Sequence, residues 1–348
     1  KKVFFPDIDS RFKFCIYVAV GIQQKVVHAD IAFFLHNTEE IDEPGRVFSL
    51  GSEDFIRVNP NTRTAPIFRT NRDAEIVLRI YEKFPVLNNH GSGKVWLVRY
   101  MRMFDMANDS GLFKTRAELE KADFYPVEGN RLKKGKEIYV PLYAGKMIWF
   151  FDHRASSVAV NENNLKVTGS SKNTTLQEHQ NPSFNLEPQY FVDLNDVNKK
   201  VNSDWVIAFR DITNTTNERT FISAIIPKYA CNHTLPILLP DGISNAEYIS
   251  VSPLILSNLS SMAFDYVARQ KIQSTHMTWY SVEQLPVIPP QLFGQPLGMG
   301  AIADFIKDHV LHLTYTSLDM QPFAKDMGYD GEQFVWDEED RRHRMARL

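Results

Sequence analysis

The sequence predicts an α+β fold, a mixed sheet-rich domain with helices, on three observations. Apolar residues recur at helical spacing over residues 71–84 and again over 301–313. Between them, from about residue 138, short β-like runs alternate with loops rich in Asn, Ser and Thr. The composition of the 348 residues, 43% hydrophobic and 23% charged, is that of an ordinary globular chain and excludes a disordered, collagen-like or coiled-coil protein.

Each element follows in order. Residues 12–20 and 30–35 are apolar on either side of the polar loop Gln23-Gln24-Lys25, which predicts a terminal antiparallel hairpin. Residues 37–66 are polar, with turn signals at Pro44-Gly45 and Asn59-Pro60-Asn61, and read as a connecting segment. Ile76, Val77, Ile80, Tyr81 and Phe84 mark the buried face of an amphipathic helix, and Thr115 with Glu118 makes a capping box for a second, shorter one. Strands are expected at 138–143, 147–151, 190–192, 205–209 and 221–226. Ser252-Pro253 reads as the N-cap and first residue of a helix. The Pro-rich run 285–290 is expected to be extended. Ile302, Phe305, Ile306, His309, Val310 and Leu313 line one face of the last amphipathic helix, ahead of the acidic turn 337–340 and a basic run.

Charge and cysteine content exclude several functions. With 39 Lys+Arg against 42 Asp+Glu the chain is not a uniformly basic nucleic-acid coat, so any such binding needs a local patch. Residues 291–348 carry 6 Lys+Arg and 10 Asp+Glu, net −4, and residues 131–290 carry 15 and 14, net +1. Cys15 and Cys231 cannot supply a disulfide framework or a four-thiolate zinc site, which fits a reducing, cytoplasmic setting. The longest apolar stretch, residues 14–22, is far short of the ~20 residues a membrane span needs. The chain opens on Lys1-Lys2-Val3 and closes on a helix-like run without a C-cap glycine, so a segment of a longer protein is expected.

Four motifs invite chemistry. Asn181-Pro182-Ser183-Phe184 has the form of the loop that holds a flipped adenine in methyltransferases, but such a loop works only beside a methyl donor held by a glycine-rich turn. The nearest such run, residues 293–300, contains Pro where that turn needs a free N–H, so a polar turn is the expectation for Asn181. Pro6-Asp7 with Lys25 could form a degenerate magnesium-dependent nuclease motif. His309 and His312 lack a third metal ligand at suitable spacing and read as one buried and one exposed histidine. Asp152-His153-Arg154, Arg210-Asp211 and Arg219 stand at strand ends, where phosphate contacts are often made. The cluster Arg269-Gln270-Lys271-Ile272-Gln273-Ser274-Thr275-His276 combines positive charge with side chains suited to base edges.

At this cluster the chain resembles a known family. Phe264-Asp265-Tyr266-Val267-Ala268-Arg269-Gln270-Lys271, then Thr275-His276-Met277, then Gln284-Leu285-Pro286-Val287-Ile288-Pro289-Pro290 are similar to the target-recognition domain of large adenine-specific DNA methyltransferases of type IIG-like restriction–modification and phage-defence systems. Asn59-Pro60-Asn61-Thr62, Gly145-Lys146-Met147-Ile148, Phe151-Asp152-His153-Arg154, Phe209-Arg210-Asp211-Ile212, Asn217-Glu218-Arg219-Thr220 and Tyr315-Thr316-Ser317 match in the same order.

The resemblance implies four parts: C-terminal strands of a methyltransferase domain (1–36), a mixed linker region (37–130), a DNA target-recognition domain (131–290) and a helical C-terminal tail (291–348). It implies recognition of double-stranded DNA on behalf of an upstream catalytic domain that holds S-adenosylmethionine. No cofactor and no catalytic residue is expected in this chain itself, and other restriction or defence proteins are expected partners. The residues expected to touch DNA are Lys146, Arg154, Arg210, Arg219, Arg269, Lys271 and His276. A metal-dependent nuclease and a non-catalytic scaffold of a defence complex stay open as alternatives.

Overall fold

Five consecutive apolar residues, Trp205–Phe209, form a strand buried on both faces. Successive side chains of a strand point to opposite sides, so Trp205, Ile207 and Phe209 enter one core while Val206 and Ala208 enter another. The computed structural model describes residues 5–7, 14–159, 169–272, 274–298 and 300–348. Within them this strand lies second in an antiparallel sheet of order Ser223–Pro227, Trp205–Phe209, Ile237–Pro240, Val98–Met101. Phe209 pairs with Ser223, Ala208 with Ile237, and Ile237 with Met101. Residues 102, 210–222 and 232–236 therefore leave the sheet at the same end.

A second sheet runs Phe191–Asp193, Glu137–Tyr143, Arg131–Lys134, Tyr125–Val127, with Ala230–Cys231 added in parallel beside Glu137–Tyr143. Val140 and Leu142 share one core with Val206, Ala208, Ala224 and Ile226. The other core joins the opposite face of the first sheet to helices Asn71–Lys83, Asn245–Ser260, Met262–Lys271 and Ile302–Thr314. The α+β class is thus the observed one. No helix among the described residues is long and apolar enough to cross a membrane.

Local chemistry starts these helices where the sequence signals it. Thr70 Oγ1 accepts from the Asp73 N–H and the Asp73 carboxylate accepts from the Thr70 N–H, after which Ala74, Val77 and Tyr81 fall on one buried face. The same reciprocal pair, Thr115 with Glu118, opens Arg116–Lys121. The long buried helix starts earlier than Ser252-Pro253: Ser244 caps it with Glu247, and Pro253 lies inside. Pro253 has no N–H to give the turn before it. Ser261 then closes this helix and caps the next through the Phe264 N–H at 3.1 Å.

Other expectations are corrected by long-range packing. Residues 14–20 form no strand, and Ile16, Tyr17 and Val18 are exposed, because an apolar run becomes a strand only with a partner beside it. Strand His28–Ile31 pairs instead with Phe48–Gly51, so the terminal hairpin is not formed; residues 12 and 13 lie outside the described residues. Residues 147–151 are not a strand either. Gly145–Met147 is a 3-10 turn and the chain reverses at once, Trp149 N–H donating to Asp152 O at 2.7 Å with Phe151 at φ 51°. This bend sends Met147 and Ile148 to one core and Phe150 and Phe151 to the other.

Nor do the packing units end at residues 130 and 290. Val98–Met101, from the stretch read as linker, completes the first sheet. Leu87 and Val287 donate to Leu285 O and Pro85 O across the chain, and a single core holds residues from Phe48 to Ala324.

The bend at residue 145 depends on a missing side chain. A Cβ at Gly145 would stand 2.5 Å from Thr234 O, whose own Oγ1 accepts the Gly145 N–H at 2.9 Å. Gly145→Ala should therefore destabilise the protein by ~1–3 kcal/mol, the usual cost of overpacking. Urea unfolding reads this directly, and a wild-type midpoint would show that the two loops can separate freely.

Candidate nucleic-acid interface

The chain leaves strand Trp205–Phe209 through Arg210-Asp211-Ile212-Thr213, and backbone bonds pin that segment on both sides. Asp211 N–H donates to Thr234 O, Thr213 N–H to Thr275 O, and Met277 N–H to Asp211 O at 2.6 Å. The loop around His276 is thereby fastened to the sheet end. The Asp211 side chain is only 2% exposed; its Oδ2 lies 3.0 Å from His276 Nδ1 and 3.6 Å from the Arg102 guanidinium, while Oδ1 has no hydrogen-bond partner. Arg102 and His276 are each about half exposed, so a buried carboxylate orients two groups that face solvent. Arg102 Nε also donates to Tyr100 Oη at 2.6 Å, and Tyr100 stacks on Trp279.

Arg210 directly precedes Asp211, and the other expected cations are held by rings and by backbone and side-chain oxygens. Arg210 donates to Ile148 O and Lys146 O and lies 5.0 Å above the Trp149 ring; burial lowers its pKa to about 10. Arg219 covers the Phe150 ring at 4.5 Å. Arg269 ties down the same loop through Thr215 O, Glu218 O and Asp265, and the other Asp265 oxygen accepts the Thr220 and Phe221 N–H groups. Lys146 Nζ is held by Gly169 O, and partial burial lowers its pKa. Asn214, Thr216 and Asn217 stand exposed at the tip of this loop.

Two expected DNA contacts are corrected. Arg154 is 1% exposed, and its guanidinium donates to the carbonyls of Asn181, Phe184, His179 and Thr316 at 2.9–3.3 Å. Lys271 Nζ is enclosed by Val58 O, Tyr81 Oη and Gln284 O at 2.7–3.0 Å, and burial drives its pKa well down. Neither cation can reach a phosphate without breaking these bonds and exposing core. Reasoning along the chain missed Arg102, which becomes a neighbour of Asp211 only through the pairing of Val98–Met101 with Ile237–Pro240.

Asn181 Oδ1 accepts the Ser183 N–H in a turn and its carbonyl receives Arg154, so it holds no base. Of residues 293–300, Phe293 and Gly294 end the 3-10 turn Pro290–Gly294, Pro296–Leu297 pairs with Gly300–Ala301, and residue 299 lies outside the described residues. Asp7 and Lys25 are exposed, and no group of three or more His, Cys, Asp or Glu able to hold a metal occurs among the described residues. His309 is buried, whereas His312 is partly exposed, stacks on Phe334 and hydrogen-bonds Asp308 O.

Behind the interface lies a buried polar network. His153 Nε2 is 3.1 Å from Asp319 Oδ1, Ser317 Oγ donates to the same oxygen, and Tyr229 Oη donates to Oδ2. Burial works against the Asp319 carboxylate, yet His153, Ser317 and Arg154 together hold its pKa far below the ordinary range. A carboxylate with a depressed folded pKa stabilises fully above its unfolded value of ~3.9, and that contribution fades as pH falls towards the folded one. Asp319→Asn should cost about 3–5 kcal/mol at neutral pH, since it removes a buried carboxylate bonded to His153, Ser317 and Tyr229 and facing the buried Arg154. It should also flatten the fall of Tm below about pH 4. Thermal unfolding at stepped pH checks both, and parallel curves for the two proteins would contradict the assignment.

No protein-family model matches the chain and no curated protein does, which leaves the geometry of the side chains to argue function.

Proposed function

We propose that this chain positions a DNA duplex and reads a short base sequence for an adenine-specific, S-adenosylmethionine-dependent DNA methyltransferase of a restriction–modification or phage-defence system in the cytoplasm. The methyl donor and the reacting adenine belong to a preceding catalytic domain, and this chain supplies recognition. Further restriction or defence proteins would share the DNA with it.

One observation carries the reading. Arg102 and His276, half exposed over the buried Asp211, stand where loops from the same end of the four-stranded sheet converge. Cations there can meet phosphates, which contribute affinity and register but no sequence information. The imidazole of His276 and the exposed Asn214, Thr216 and Asn217 offer the donors and acceptors that base edges require. Because Asp211 occupies Nδ1 of His276, the Nε2 edge is the one left to face a ligand. Loops on a rigid sheet hold such groups in fixed register.

Fluorescence anisotropy with duplexes of randomised and selected sequence tests this. Arg102→Ala should weaken binding to all duplexes alike and reduce the salt slope by about one unit, the signature of a lost phosphate contact. His276→Ala should cost on the order of 1–3 kcal/mol for the preferred sequence and little for others. Salt-insensitive binding, or equal losses on every sequence in both variants, would remove DNA readout from this face.

A further inference from the structure

Ile212 and His276 face each other in an isolated antiparallel bridge between the strand-end segment and the His276 loop. Thr213 N–H donates to Thr275 O and Met277 N–H to Asp211 O, so the bonds flank the pair rather than join it. Such a pair brings its Cα atoms to about 4.5 Å, with both side chains on one side. Burial follows the pleat: Asp211, Thr213 and Met277 are buried, whereas Ile212 is 53% and the His276 side chain 50% exposed. An apolar side chain and a hydrogen-bonding ring therefore stand together on the outer side of this loop.

Asp211 fixes what the ring can offer. Its Oδ2 lies 3.0 Å from His276 Nδ1. A carboxylate only accepts, so the hydrogen of Nδ1 is given to it, and the uncharged ring has none left at Nε2. Nε2 is then an acceptor. In the major groove the exocyclic amines of adenine and cytosine donate, and thymine alone presents a methyl group. Among the ordinary base pairs, a donor and a methyl share one edge only where adenine pairs with thymine.

We propose that Ile212 and His276 read one A·T pair from the major groove, with His276 Nε2 accepting from the adenine N6 amine and Ile212 packed on the thymine methyl. The assignment rests on this face being a DNA interface and names the base pair it takes. Arg102, held by the same Asp211 carboxylate, is left to meet a phosphate.

Anisotropy titrations of the whole chain with its selected duplex test this, each A·T pair being replaced in turn by purine·T, which lacks the N6 amine, and by A·U, which lacks the methyl. At one position purine should weaken binding about tenfold and uracil about threefold, the sizes expected of one lost hydrogen bond and one unburied methyl group. His276→Ala should lose the purine effect and keep the uracil effect. Ile212→Ala, an exposed change that removes no side-chain hydrogen bond, should do the reverse. If His276→Ala does not fold, the uracil effect in Ile212→Ala decides the matter. A charged ring would donate to the purine N7 instead, and the purine replacement would then cost nothing. That result, a preferred sequence without an A·T pair, or an unchanged uracil effect in Ile212→Ala would each overturn the proposal while sequence-dependent, salt-sensitive binding kept the DNA reading intact. Absence of salt-sensitive binding to any duplex would overturn the DNA reading itself, and the base-pair assignment with it.

Discussion

The Arg154 guanidinium holds together parts of the chain that are far apart in sequence. It is closed to solvent and donates to the carbonyls of His179, Asn181, Phe184 and Thr316. Taking a guanidinium out of water costs several kcal/mol, a cost offset only when geometry and hydrogen bonding are nearly complete. Four carbonyls meet the two terminal nitrogens while Nε has no partner, and the neighbouring contacts form a ring. Asp152 bonds His179, His179 stacks on Trp336 at 3.8 Å, and Trp336 stacks on Arg341 at 3.6 Å. Arg341 closes the ring by donating to Phe151 O, and also holds Leu313 O. The C-terminal helix Glu338–Arg347 is thus bound to the strand-end turn rather than appended to it.

This anchor explains why the candidate interface is fixed in place. The reversal at residues 149–152 is held by the Asp152–His179 bond and by Arg341, and the rings of Trp149 and Phe150 lie under Arg210 and Arg219. From there the backbone bonds of residues 211–213 reach the His276 loop. The buried network and the candidate interface are thus joined through covalently adjacent residues. Because the backbone segments are mutually bonded, readout by side chains at their tips does not first require the loops to be ordered, a step that would cost on the order of 1–2 kcal/mol per residue.

What was legible in the sequence was local. The helix Asn71–Lys83, the capping box at Thr115 and the strand Trp205–Phe209 follow from residues within a few positions of one another. Residues 147–151 have the composition of a strand, but the contact of Gly145 with Thr234 turns them, and nothing in the local pattern encodes that contact. The fate of the cations was equally hidden. Lys271 is captured by Val58 and Gln284, Arg154 by Thr316, and Arg102 is brought to Asp211 by a strand pairing between residues 98–101 and 237–240. Charge alone could not separate buried from exposed members of the set, because each acceptor is a backbone carbonyl or a distant side chain.

The buried anion under the interface also bears on how such a face would work. Asp211 offsets the charge that Arg102 presents and fixes the His276 ring, and residues 131–290 are nearly balanced at 15 basic against 14 acidic. Non-specific affinity for DNA grows with the number of phosphates neutralised, so a face built this way gains little of it. What remains is discrimination: an imidazole whose ring orientation is set by a carboxylate loses its full hydrogen bond when the base is wrong, and that loss is not masked by a strong sequence-independent term. On that reading affinity would come from the few phosphates that Arg102 and its neighbours meet, and discrimination from His276.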